Sequence, residues 1–337
     1  MQTKGDIMKN GTLHIVGLSG GKDSTATLLL AIDRLGKENV RAVFADTGNE
    51  HPETYAYLEY LERMLGIQVV RLKPDFSEEI TKKRMFVARD RRVGRDKRGD
   101  KVRWSNRAKR RALAVLRPTG NPFLDLCLLK GRFPTNRARF CTEWLKRDTF
   151  VEYVDSVIQQ DGRPVVVWQG VRRDESDKRK NAKKIERMGR KHYNFRPIVD
   201  WTVENVFLYI ADHGLDPNPL YQTLGRVGCA PCIYATKGDV RLLAGSNLVV
   251  MERVRDWERL VGLSSKKGFA AFFQGKELAG TKPGEVSDLV FWERHQIDGI
   301  LKWAAKEGPF MKEDWGYADS DGRAGPQCGS EMGLCGD

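Results

Sequence analysis

Short runs of consecutive apolar residues alternate along this chain with stretches whose apolar positions recur every three or four residues. LHIVGL (13–18), VRAVFAD (40–46), IQVVRL (67–72) and VVVWQG (165–170) are brief, β-rich and bounded by glycine or turn residues, and they read as buried strands. STATLLLAIDRLG (24–36) and PETYAYLEYLERMLG (52–66) carry helical periodicity and end at Gly36 and Gly66, and TVENVFLYIADHG (202–214) reads as a capped helix with one apolar stripe. Strands alternating with amphipathic helices predict an α/β fold with a parallel sheet and helices on both faces. Right-handed crossovers then bring loops 18–24 and 47–52 to the same carboxyl edge of that sheet. Beyond residue 235 the pattern predicts a mainly helical region ending in a glycine-rich tail, which divides the chain into 1–235 and 236–337.

With 337 residues, 40% of them hydrophobic, the chain has material for a large core. No apolar run approaches the roughly 18 residues of a membrane span, and the start, MQTKGDIMKNG, has no apolar leader. The expectation is a cytoplasmic protein with no membrane partner. Six cysteines in that setting are to be read for metal or redox chemistry rather than as a disulfide framework.

Charge is concentrated. Lys82 to Arg117 holds sixteen Lys or Arg against three Asp, a net of +13 that equals the formal net charge of the whole chain. Such a run is either a solvated surface insertion, at about 80–120, or a nucleic-acid arm. On the second reading Arg92, Arg95, Lys101, Arg103, Arg107, Lys109, Arg110 and Arg111 contact DNA or RNA phosphates. A second basic cluster, Arg172 to Lys191, contains acidic residues as well and reads as a loop facing a polyanionic substrate, with Arg172, Arg173 and Arg179 as guanidinium donors.

Between the first strand and the first helix stands SGGKDS (19–24). A strand turning into a helix there presents backbone N–H groups where the helix dipole is positive, a setting that favours phosphate. Gly20 and Gly21 allow close backbone approach, Ser19 and Ser24 offer hydroxyls, and Lys22 adds a charge. GxxxxGK[ST] and GxGxxG are both absent from the turn, so a nucleotide phosphate is expected by another route than those two motifs.

SGGKDS resembles the PP-loop of the ATP-pyrophosphatase and adenylyl-sulfate reductase superfamily. ADTGNEHPET (45–54), WQGVRRDES (168–176), RPIVDWTVENVFLYI (196–210) and NPLY (218–221) resemble further segments of phosphoadenosine phosphosulfate reductases, so the likeness covers about residues 12–235. It is similar in particular to the reductase-like proteins of phages and mobile elements and to the ATP-pyrophosphatase-like component of DNA phosphorothioation systems. The resemblance implies a Rossmann-like adenine nucleotide alpha-hydrolase fold. It implies an adenine-nucleotide site formed by Ser19, Gly20, Gly21, Lys22, Asp23, Ser24, Asp46, Thr47, Gly48, Gly170, Arg172 and Arg173. The lysine form GGKDS is that of enzymes splitting ATP into AMP and pyrophosphate, which implies ATP with Mg2+, Lys22 on the departing pyrophosphate and Asp23 as a metal ligand. Asp46 either contacts the nucleotide or metal or merely forms a turn.

Cys229 and Cys232 form a CxxC, and with Cys141 and Cys127 they number the four thiolates of either a zinc site or a [4Fe-4S] cluster. Cys127, within LDLCLL, reads equally as a buried apolar cysteine. The resemblance implies iron and sulfur, although the family's tandem cysteine pair reads Cys141-Thr142 here. Cys328 and Cys335 lie in the glycine-rich tail, where a thiolate or persulfide could act as the catalytic nucleophile with a sulfur-donor or thiol-reductant protein as partner. Three functions follow as expectations: adenylylation of an acceptor, a nucleic acid, for sulfur transfer; reduction of adenylyl sulfate or phosphoadenosine phosphosulfate; and a non-catalytic nucleotide- or nucleic-acid-binding accessory role.

Overall fold

The computed structural model describes residues 11–92, 94, 95, 99, 103–273 and 288–306. Strands β1 (Leu13–Leu18), β2 (Val40–Ala45), β3 (Val69–Leu72), β4 (Val165–Trp168), β5 (Ile185–Arg187) and β6 (His192–Phe195) form one sheet in the order β3-β2-β1-β4-β6-β5. Every pairing is parallel except that of β5 with β6. The helices described are α1 (Lys22–Leu35), α2 (Pro52–Leu65), α3 (Ser77–Arg89), α4 (Asn106–Val115), α5 (Pro122–Lys130), α6 (Phe140–Thr142), α7 (Thr149–Asp161), α8 (Val203–Asp212), α9 (Leu220–Thr223), α10 (Lys237–Ser246), α11 (Leu248–Ser264), α12 (Asp288–His295) and α13 (Ile297–Ala305). A π-helical segment, Glu143–Asp148, leads into α7. None of these helices is long and apolar enough to cross a membrane.

The chain folds as two compact units, one taking the described residues to Lys73 and Thr142–Ala230, the other Pro74–Cys141 and the described residues from Pro231 onward. The first holds the sheet. Val16, Leu18, Phe44 and Trp168 face Leu28, Leu29, Leu58, Leu61, Val206 and Ile210 of α1, α2 and α8. Ile15, Val43, Val165 and Val167 face Phe150, Val154 and Val157 of α7. Both faces are therefore covered, which is why these strands are continuous apolar runs, and each fully buried side chain of this kind contributes roughly 1.5–3 kcal/mol. The sequence expectation for β1, β2, β4, α1, α2 and α8 holds to within two residues at most ends.

The hairpin β5–β6 departs from the sequence reading, which placed no strand in IERMGRKHYNF. His192 and Asn194 pair with Val165 and Val167, while Phe195 packs edge-on against Trp168 at 4.7 Å, so a segment with two polar positions still completes the sheet and adds to its core.

The second unit groups the described part of the basic run with the described residues beyond Pro231, where the sequence reading set an insertion at about 80–120 and a region 236–337. Helix α11 packs on α4 and α5. The centre is aromatic: Phe123 stacks on Trp257 at 5.3 Å and Phe133 lies 5.1 Å from Phe272. On α4, Ala108 and Ala112 are buried, Ser105 caps the helix by accepting from the Ala108 N–H at 3.1 Å, and Trp104 and Leu116 are buried at either end. The charged sequence thus hides an ordinary amphipathic helix with a small-residue stripe.

Candidate functional site

The turn after β1 is held from within and from far along the chain. Gly20 adopts φ +77°, and a Cβ there would stand 3.0 Å from Cγ2 of Thr54. The Ser24 hydroxyl donates to the Gly21 carbonyl at 2.9 Å and accepts from the Ser19 amide and hydroxyl at 3.1 Å each. Both serine hydroxyls are therefore committed to shaping the turn, where sequence reasoning had offered them to the ligand. Asn218 donates to the Gly20 carbonyl at 3.1 Å, and the Lys22 amide donates to the Tyr221 hydroxyl at 2.9 Å. Helix α1 has no side-chain cap, and the amides of Asp23 and Ser24 have no acceptor among the described residues. Two buried donors at a helix start are left without an acceptor, the arrangement that suits an anion.

Asp23 gathers the charge. Its carboxylate meets Lys22 Nζ at 3.1 Å and Arg172 Nε at 2.5 Å, and Arg172 also holds Asp174 at 2.6 and 2.8 Å. Lys22, Asp23 and Arg172 are all buried. Gly170 is what lets the Arg172 loop come so near: a Cβ at that position would sit 2.6–2.7 Å from the backbone of Asp23 and Ser24. Arg173 turns away from this group, its guanidinium donating to the Ala182 carbonyl and pairing with Asp200. Arg179 is paired with Glu175.

The loop after β2 forms a second buried network. Asp46 Oδ1 accepts from the Gly48 amide at 2.9 Å and the Tyr55 hydroxyl at 2.7 Å, while Glu50 accepts from the Thr47 hydroxyl at 2.8 Å and the Thr47 amide at 3.2 Å. Burial pushes the Glu50 carboxyl above the usual carboxylate range, against the opposing pull of the Lys146 charge. Burial also raises Tyr55, reinforced by the Glu50 charge, so this phenol is a donor at any ordinary pH. The loop is tied to the cysteine segment by the backbone: the Ala230 amide donates to Asn49 O at 2.8 Å and the His51 amide to Gly228 O at 3.4 Å. Asp46, Thr47 and Gly48 thus stand on the strand neighbouring the phosphate turn, with Thr54 between the two loops.

Sequence reasoning missed four residues here. Glu50 and Lys146, buried and electrostatically coupled, come from segments almost a hundred residues apart. Gln169 and Thr54 are 1% and 0% exposed, yet neither the Gln169 amide nor the Thr54 hydroxyl has a hydrogen-bond partner among the described residues. An unsatisfied buried polar group costs about 1–3 kcal/mol, so a pair flanking an anion-binding turn marks a place where a ligand is expected.

The four cysteines proposed as ligands are divided between the two units, Cys229 in the first and Cys127, Cys141 and Cys232 in the second. Among the described residues no three His, Cys, Asp or Glu side chains gather as a metal site. Cys127 is fully buried on α5, whose residues from Pro122 to Leu128 are all in the interior, and burial followed by the nearby Cys141 raises its thiol well above the usual range. That environment suits an apolar cysteine, one of the two readings the sequence left open for Cys127. Each carboxylate oxygen of Asp23 already faces a cation, Lys22 or Arg172. Lys101, Cys328 and Cys335 lie outside the described residues.

A parallel α/β sheet with a strand-to-helix anion turn at its carboxyl edge, clamped by residues from the later helix, defines a doubly wound protein of the PP-loop kind. Residues 14–235 match the family model of the phosphoadenosine phosphosulfate reductase domain, and the chain belongs to that family. It is 42% identical over 298 residues to an uncharacterized 37.8 kDa protein of Escherichia phage 186, covering 87% of this chain and 88% of that one. It is 26% identical over 204 residues to an uncharacterized nin region protein of Escherichia phage lambda, covering 60% and 63%. It is 25% identical over 200 residues to adenosine 5'-phosphosulfate reductase 1 of Bacillus subtilis (strain 168), covering 58% and 64%.

Proposed function

We propose that this protein binds ATP at the Ser19–Ser24 turn and splits it into AMP and pyrophosphate, activating an acceptor by adenylylation for sulfur transfer. The observation that carries this reading is the buried Lys22–Asp23–Arg172 group beside two unpaired helix-start amides. An acceptor nucleophile attacks the α-phosphorus, the bond to the β-phosphate oxygen breaks, and negative charge grows on the leaving pyrophosphate. Lys22, Arg172 and the amides of Asp23 and Ser24 are aimed at that charge, and each donor of this sort contributes about 3 kcal/mol to such a step. Asp23 positions both cations. Gln169 and Thr54 supply the polar contacts that orient the nucleotide. A sulfur nucleophile then displaces AMP from the acceptor, and no step is assigned to a metal or cluster.

A second reading, reduction of adenylyl sulfate with release of sulfite, is favoured by the similarity to the Bacillus subtilis enzyme of that name. One assay separates them. Anaerobically purified protein is given Mg2+ and ATP with candidate acceptors, or adenylyl sulfate with a thiol reductant. AMP and pyrophosphate, lost about 100-fold or more in Lys22→Ala, support the first reading; sulfite from adenylyl sulfate, with silence on ATP, moves the assignment to the second.

A further inference from the structure

The cations of the Lys82–Arg117 run have two distinct employments. One set braces the second unit: Lys83 donates to the Leu128 and Leu129 carbonyls at 2.8 Å each, Lys109 to Asp90 O at 2.7 Å, and Arg111 to Lys266 O at 3.1 Å. Arg92 belongs with them, paired to Asp90 at 2.7 Å and lying over the Phe86 ring, as does Arg95, which donates to Gly99 O at 2.5 Å. Others are exposed and their side chains have no hydrogen-bond or ion-pair partner among the described residues: Arg89, Arg91 and Arg117, and, around the start of α4, Arg103, Arg107 and Arg110. Arg107 and Arg110, one helical turn apart, lie on the side of α4 away from the buried Ala108 and Ala112, and Arg103 leads into the Ser105 cap.

Nothing in the fold calls for these three. The first turn of α4 holds no acidic residue, so cations there oppose the helix dipole instead of complementing it. Their placement is explained by an external polyanion. Guanidinium is the group matched to phosphate by a bidentate fork. On α4, Ala108 and Ala112 are buried, Leu113 and Val115 half-buried and only the small Ala114 is exposed among the apolar residues, which leaves no broad apolar face for a lipid surface.

We propose that Arg103, Arg107 and Arg110 form a binding surface for the phosphodiester backbone of a nucleic acid, with Lys83, Lys109 and Arg111 acting as internal braces. This does not depend on the chemistry assigned to the nucleotide turn. The test is fluorescence anisotropy of the full chain with labelled single-stranded DNA, duplex DNA and single-stranded RNA, between about 50 and 200 mM salt. Arg103→Ala/Arg107→Ala/Arg110→Ala is expected to weaken binding about 10- to 100-fold regardless of base sequence and to reduce the logarithmic salt slope by roughly 2–3. The exposed control triple Lys37→Ala/Arg63→Ala/Lys73→Ala, removing the same charge elsewhere, is expected to leave the slope unchanged, with both variants checked by thermal melting. Preference among the three probes identifies the kind of nucleic acid. An equal loss from both triples, an unchanged slope in the first, or binding to phosphatidylserine vesicles with none to any oligonucleotide would overturn the proposal.

Discussion

Gly170 is the glycine of the first unit pressed most closely against other backbone. Gly170→Ala forces a Cβ to within 2.6 Å of the Asp23 carbonyl carbon, so the strand-end loop or the start of α1 must move. Overpacking of that kind costs about 1–3 kcal/mol; the expected outcome is a lower melting temperature together with weakened nucleotide binding by calorimetry. Arg172→Ala leaves Asp23 buried with Lys22 alone, whereas Arg172→Lys keeps the charge but loses the fork that spans Asp23 and Asp174. Nucleotide affinity is therefore expected to fall in the order wild type, Lys, Ala, and equal affinities for all three would detach Arg172 from the site. At this scale the sequence was informative where chemistry is local. The turn could be read from SGGKDS because its parts are contiguous. Glu50, Lys146, Gln169 and Thr54 could not, because what distinguishes them is burial and missing or distant partners, and only the folded chain creates those.

Helix α11 carries a carboxylate in its apolar face. Glu258 accepts from the Phe272 amide at 2.8 Å and from the Ile297 amide at 2.8 Å, fixing the start of α13, and burial raises its carboxyl to about 8. The raised group is protonated in the folded state and ionised in the unfolded state at intermediate pH. Its contribution to stability is thus full below the ordinary glutamate range and is lost as pH rises to about 8. Thermal melting of wild type is expected to decline across that window, and Glu258→Leu is expected to flatten the decline even where it lowers stability overall. Elements whose sequence mirrors their burial, such as β1, β4 and α2, were legible. The hairpin β5–β6 was not, because its strands are only three and four residues long and the alternation in HYNF is too short to stand out beside the charged residues around it. Helix α4 was hidden by its own charges, since the small residues Ala108 and Ala112 mark its buried stripe only weakly.

For the whole molecule, the described helices α3 and α4 of the run that gives the chain its basicity pack within a folded unit. Excising residues 82–117 removes the α4 packing partner of α11 and the carbonyl braces from Lys83 and Arg111, so it is expected to lower the melting temperature sharply instead of trimming an appendage. A deletion that melts like the full chain would return the run to the status of a surface insertion. The composition showed that a polyanion partner was worth considering, yet it could not separate cations used internally from those presented outward.

The clamps on the phosphate turn carry a consequence in time. Asn218 and Tyr221 reach the turn from 198 and 199 residues downstream. Contacts so distant in sequence close late, after the intervening chain has been ordered. During synthesis the SGGKDS segment therefore emerges early but stays without its final shape until NPLY has left the ribosome, so a nascent chain ending before residue 218 is expected to lack the nucleotide affinity proposed for the finished protein.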